Sequence, residues 1–123
     1  MSTTFADILT AAARSVERAT DTARTARWDD APEASRRLDA ARARLGSLQR
    51  LGRLCQRASE ACAGERPVLL VVPHDGGHDA ATVDAALREE LGHPGAVAVA
   101  APEDAAQRDE IVAACAAEFE VVQ

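Results

Sequence analysis

The sequence predicts a helix-rich α/β fold, an N-terminal antiparallel helical hairpin followed by a minimal parallel βαβα(β) unit. Three observations predict it. Apolar residues first recur at helical spacing and then, after residue 67, arrive as short continuous runs separated by helical segments. Only a few residues separate the first two helical segments, which implies antiparallel neighbours. Charge divides at nearly the same place: residues 1–67 hold 12 Arg against 9 acids, residues 68–123 hold 2 Arg against 11.

Thr4 opens the first helix, with Asp7 three positions on in a capping-box arrangement. Phe5, Leu9, Ala12, Val16, Ala19, Ala23 and Ala26 then alternate four- and three-residue spacings, a heptad seam that narrows from bulky residues to Ala. The helix is expected to stop near Trp28-Asp29-Asp30, with Asp30 capping the next and Pro32 and Glu33 in its first turn. That second helix is expected to run to about Ala63 and stop at Gly64. Leu38, Ala41, Leu45, Leu48, Gly52 and Cys55 carry its seam, which Leu51, Leu54 and Ala58 widen. Gly46 and Gly52 weaken it locally.

The period then changes. Val68 to Val72 is an unbroken apolar run, the mark of a strand buried on both faces. Asp79 to Leu91 reads as a helix closed by Gly92, with Val83, Ala86, Leu87 and Leu91 on one face. Ala96 to Ala101 reads as a second strand. Pro102 is expected to start the last helix, with Ile111, Val112, Cys115 and Ala116 inward. Residues 118–122 fit either a final strand or the last turn of that helix. The chain has room for one domain, 1–123, made of an Arg-rich hairpin, 1–64, and an acidic α/β unit, 67–123.

Composition narrows the function. The chain has 123 residues and a net charge of −6. It holds 29 Ala but only three aromatics (Phe5, Trp28 and Phe119), so a core of small side chains is expected to gain from close helix contact and self-association. All 14 basic residues are Arg. No run approaches the ~20 apolar residues of a membrane span, and no basic segment leads an apolar one, so a cytoplasmic protein is expected. Cys55 and Cys62 sit two helical turns apart, roughly 10 Å, too far for a disulfide. With Cys115 they read as reduced, buried, structural thiols.

Two segments could carry chemistry. The first is the loop His74, Asp75, Gly76, Gly77, His78 and Asp79 after the first strand, with Glu103 and Asp104 after the second expected nearby. Ligands of parallel α/β sheets bind at such strand ends, and Gly lets backbone N–H groups approach an anion. The same residues also make an ordinary turn, with Asp79 as helix cap. A phosphate site and a metal site are the sharper alternatives, but no full phosphate-binding motif is present and Gly76-Gly77 disfavours a helical His pair. Val71 to Asp75 resembles the strand-then-PHPDD opening of zinc-dependent de-N-acetylases, and Asp75 to Asp79 is similar to the GHGGxD opening of zinc amidases of cell-wall turnover. Those resemblances imply metal-binding His and Asp. Each covers under ten residues; the first pattern's second Asp is Gly here, and the second pattern's ligand His is missing. Neither family is assigned.

The second segment is the basic stripe Arg50, Arg53 and Arg57 on one face of the second helix. It reads as a solvated face, as a surface for an acidic partner, or as a phosphate track on nucleic acid. The acidic chain and its few aromatics place nucleic acid last. The expectation is a non-enzymatic interaction or regulatory module that self-associates through the hairpin, without catalytic residues, metal or cofactor. The alternative is a small ligand-, phosphate- or metal-binding, even hydrolytic, domain using the His74–Asp79 loop. Nucleic-acid binding through the Arg stripe is the third option.

Overall fold

The computed structural model describes residues 3–92 and 94–123. Residues 1 and 2 of the expected hairpin, and His93, lie outside the described residues. Among the described residues, four helices and three strands follow in the order α1 (Phe5–Thr25), α2 (Ala31–Ala61), β1 (Val68–Val71), α3 (Ala80–Leu91), β2 (Ala98–Ala100), α4 (Ala105–Cys115) and β3 (Glu120–Val122). A 3-10 turn, Pro94–Ala96, precedes β2. The protein is thus a helix-rich α/β chain with an N-terminal helical pair. None of its described helices is long and apolar enough to cross a membrane.

The chain forms two compact units, 1–49 and 50–123, and the division falls inside α2. In the first unit, Thr4 caps α1 through a full capping box, with Asp7 N–H donating to Thr4 Oγ1 at 3.1 Å and Thr4 N–H to Asp7 Oδ2 at 3.3 Å. Every seam position of α1 is buried or half-buried, with Phe5 and Ala12 buried. The helix ends at Thr25, earlier than the sequence suggested. Thr20 and Thr25 hydroxyls bond back to Val16 and Asp21 carbonyls, the local competition that makes Thr a poor interior residue. Asp30 and Ala31 N–H then both donate to Arg27 O at 2.9 Å, closing a turn that leaves Trp28 89% exposed. Asp30 O accepts from Ala34 N–H, the first bond of α2.

The second unit is built on a parallel sheet in the order β2-β1-β3. Leu69 aligns with Ala98 on one side and Val121 on the other. All four β1 residues are buried, as their unbroken apolar run requires. Leu51, Leu54, Cys55 and Ala58 of α2 and Val83, Ala86 and Leu87 of α3 supply the helical part of the core. Each buried Leu contributes about 1.5–3 kcal/mol. Ser59 Oγ donates to Glu90 O at 3.4 Å, joining these two helices. Right-handed crossovers put α3 and α4 on opposite faces when strands run in this order.

Helix α2 ends at Ala61 rather than about Ala63, and β2 is shorter than the expected 96–101, since Ala96 belongs to the 3-10 turn. Helix α4 begins at Ala105, because Asp104 rather than Pro102 opens it: Asp104 Oδ1 accepts from Gln107 N–H at 2.8 Å, and Pro102 is buried just ahead. Ile111, Val112 and Cys115 are half-buried, whereas Ala116 is exposed beyond the helix end. Residues 120–122 are a strand. Glu120 N–H donates to Pro67 O at 2.8 Å, and pairing with β1 draws the chain out of helical geometry.

Candidate functional site

Because β1 is central, the loop after it occupies the position where parallel sheets bind ligands. Val72 N–H still bonds to Ala100 O at 2.9 Å, so the strand pairing extends to the loop's first residues. Gly76 N–H then donates to Pro73 O at 3.2 Å, closing a turn over Pro73-His74-Asp75-Gly76. Gly77 takes φ 66, a left-handed geometry that favours Gly. His74 and Asp75 are exposed on this turn, and His78 is half-buried. Asp79 is the N-cap of α3, with Oδ1 accepting from Thr82 N–H at 2.8 Å. Asp104 does the same for α4, and Glu103 N–H donates to Gln107 Oε1 at 2.6 Å. Asp79 and Asp104 thus have structural work of their own. Among the described residues, no group of three or more His, Cys, Asp or Glu is placed to hold a metal ion.

The end of β1 and the Arg stripe, separate in the sequence, meet in space, whereas none of residues 74–79 lines their cleft. Arg50, Arg53 and Arg57 line a cleft of about 350 Å³ together with Leu54, Pro73 and Gln123. Spacings of three and four residues put the three Arg on one face of α2. Pro73 brings the C-terminal end of β1 to the cleft, and Gln123 that of β3. Leu54 is buried, so the cleft has an apolar floor beneath a cationic rim. Arg57 Nη1 donates to Gln123 O at 2.9 Å. The ion pairs Arg37–Glu33 and Arg108–Asp109 lie elsewhere, and no side-chain carboxylate of the described residues pairs with Arg50, Arg53 or Arg57.

Sequence reasoning named the three Arg and the adjoining loop but not Leu54, Pro73 or Gln123 as parts of one cleft. No local pattern signals such a junction. Cys55, one residue along α2, is fully buried, and burial followed by the charge of Glu90 pushes its thiol up to about 11. A thiol so held stays protonated and unreactive near neutral pH.

None of the protein-family models, curated proteins or solved structures compared with the chain matches it.

Proposed function

We propose that the protein is a small interaction module, a binder rather than an enzyme, that receives a carboxylate-bearing segment of a partner protein in the Arg50–Arg53–Arg57 cleft. The observation carrying this reading is the convergence of three Arg, none paired with a side-chain carboxylate of the described residues, over the apolar floor of Leu54 and Pro73. Guanidinium groups match carboxylates in a bidentate fork, and the floor would shield those bonds from water. The lining offers no group that exchanges protons near neutral pH, which favours binding over acid–base catalysis. An acidic segment with an apolar residue beside its carboxylates fits both parts of the cleft.

The test is calorimetric titration of the full chain with a Glu-rich peptide at low and moderate salt. Replacing Arg50→Ala and Arg53→Ala together should weaken binding at least about tenfold, or ~1.4 kcal/mol. Arg36→Ala with Arg37→Ala, on the same helix outside the cleft, should change it little. Equal losses from the two pairs would reduce the effect to bulk charge and sink the reading. Tighter binding of an oligonucleotide, lost in the same cleft variant, would replace it with nucleic-acid recognition.

A further inference from the structure

The Arg cleft has a neighbour of opposite charge. Glu60, Ala61, Gly64, Glu65, Arg66 and Glu120 line a second cleft of about 310 Å³. Arg66 is committed to the end of α4, where its guanidinium donates to the Ala116 and Ala117 carbonyl oxygens. Glu60, Glu65 and Glu120 are exposed, and no ion pair among the described residues takes them up.

The two clefts are halves of one groove. Residues 50, 53, 54, 57, 60 and 61 recur at three- and four-residue spacing, so they form a single stripe along the end of α2, and Gly64 follows in the turn beyond it. Strand β3 runs beside this stripe in the opposite direction. Glu120, at its start, lies with residues 60, 61 and 64, whereas Gln123, just past its end, lies with Arg50, Arg53 and Arg57. Both ends of the groove belong to the unit 50–123. The sign of the charge changes between Arg57 and Glu60, within one helical turn. A groove that is positive at one end and negative at the other is complementary to itself turned end over end.

We propose that this groove is a dimer surface, on which a second copy docks about a twofold axis crossing α2 between Arg57 and Glu60. Resting on the cleft reading above, this assigns the partner: the carboxylates that enter the Arg cleft are Glu60, Glu65 and Glu120 of a second copy. The axis sets Arg57 against Glu60 of the second copy and Arg53 against its Glu65, and symmetry repeats both pairs. Arg57 uses Nη1 on Gln123 O and keeps its other donors for the carboxylate. Charge complementarity selects the occupant, because a second copy matches both ends of the groove at once, while like charges exclude the parallel arrangement. Isologous contacts of this kind close at two copies. The self-association expected of the hairpin thereby gains a defined surface on its second helix.

Light scattering on the full chain across a wide dilution series at low salt tests it. Wild type should approach twice its 12.9 kDa. The dimer should weaken at least about tenfold near 1 M salt, where exposed charges are screened within ~3 Å. Arg50→Glu with Arg53→Glu turns the basic end acidic, and Glu60→Arg with Glu65→Arg turns the acidic end basic. All four positions are exposed, so the fold should survive either change. Each double variant alone should dimerise at least about tenfold more weakly than wild type. An equal mixture of the two should recover a dimer, since the twofold then sets unlike charges together at both ends. That recovery also shows that both variants are folded. A mixture that stays monomeric beside a dimeric wild type overturns the proposal, as does a dimer that persists in both variants. A wild type that is monomeric at every concentration overturns it too. If that monomer still binds the Glu-rich peptide through Arg50 and Arg53, the cleft reading stands without the second copy; if it refuses the peptide, both fall.

Discussion

Arg57 reaches from α2 to the backbone oxygen of Gln123, 66 residues later, at 2.9 Å. The bond ties the last strand, only three residues long, to the helix that carries the cationic rim. Arg57 should therefore matter to stability as well as to binding. Arg57→Ala is expected to lose ~1 kcal/mol by chemical denaturation, the usual worth of one hydrogen bond. Arg50→Ala and Arg53→Ala, with no such tether, should stay within ~0.5 kcal/mol of wild type. Equal losses at all three positions would mean that the tether holds nothing.

The loop after β1 carries two His beside the N-cap of α3, and mutagenesis can part their roles. Asp79 and Asp104 cap α3 and α4 through bonds of 2.8 Å, so Asp79→Ala and Asp104→Ala should each cost ~1 kcal/mol without any ligand. His74→Ala combined with His78→Ala leaves both caps in place. If the loop is a turn, titrations of wild type and this double variant with zinc, magnesium and phosphate should show no difference. Binding that disappears in the variant at unchanged melting temperature would return the loop to the site.

How far the sequence led differs by element. Strand β1 was legible because five consecutive apolar residues need burial on both faces, and α3 because Asp79 and Gly92 mark its ends. The start of α4 was misplaced at Pro102, although Asp104 and Gln107 stand three apart in a capping pattern that local reasoning can recognise. The fate of residues 118–122 was not local at all. The bond from Glu120 to Pro67 settles it, across more than fifty residues. The cleft is a similar case. Its Arg stripe shows in the helical spacing, but the approach of Pro73 and Gln123 is a tertiary event without a signature of its own.

Two glycines should respond to the same substitution with opposite signs. Gly46 lies inside α2, and a Cβ built there meets nothing within 4 Å. Gly46→Ala should raise stability by ~1 kcal/mol, because Ala keeps the helix at a smaller entropic cost. Gly92 also has space around it, but it closes α3 at φ 78 with its N–H on Arg88 O. Gly92→Ala should lower stability by ~1 kcal/mol, since an L-residue is strained in that region. Thermal melts of the two variants against wild type would decide both.

The chain has no Lys and no Tyr, so among its side chains only thiols can titrate between pH 9 and 11. That makes Cys55 unusually easy to observe. Its folded value, raised to about 11 from an ordinary 9.0, means that the native state holds this proton more tightly than the unfolded chain does. Below pH 9 both states carry the proton and the stability is full. Between 9 and 11 the unfolded thiol ionises while the folded one does not, so stability falls as pH rises, by roughly 2–3 kcal/mol in all. Urea denaturation at pH 8, 9.5 and 11 should trace this decline. Cys55→Ala should be less stable throughout, by a few kcal/mol at most for the lost packing of a small buried side chain, but its curve should be flatter across the same window. A slope unchanged in the variant would remove Cys55 from the account.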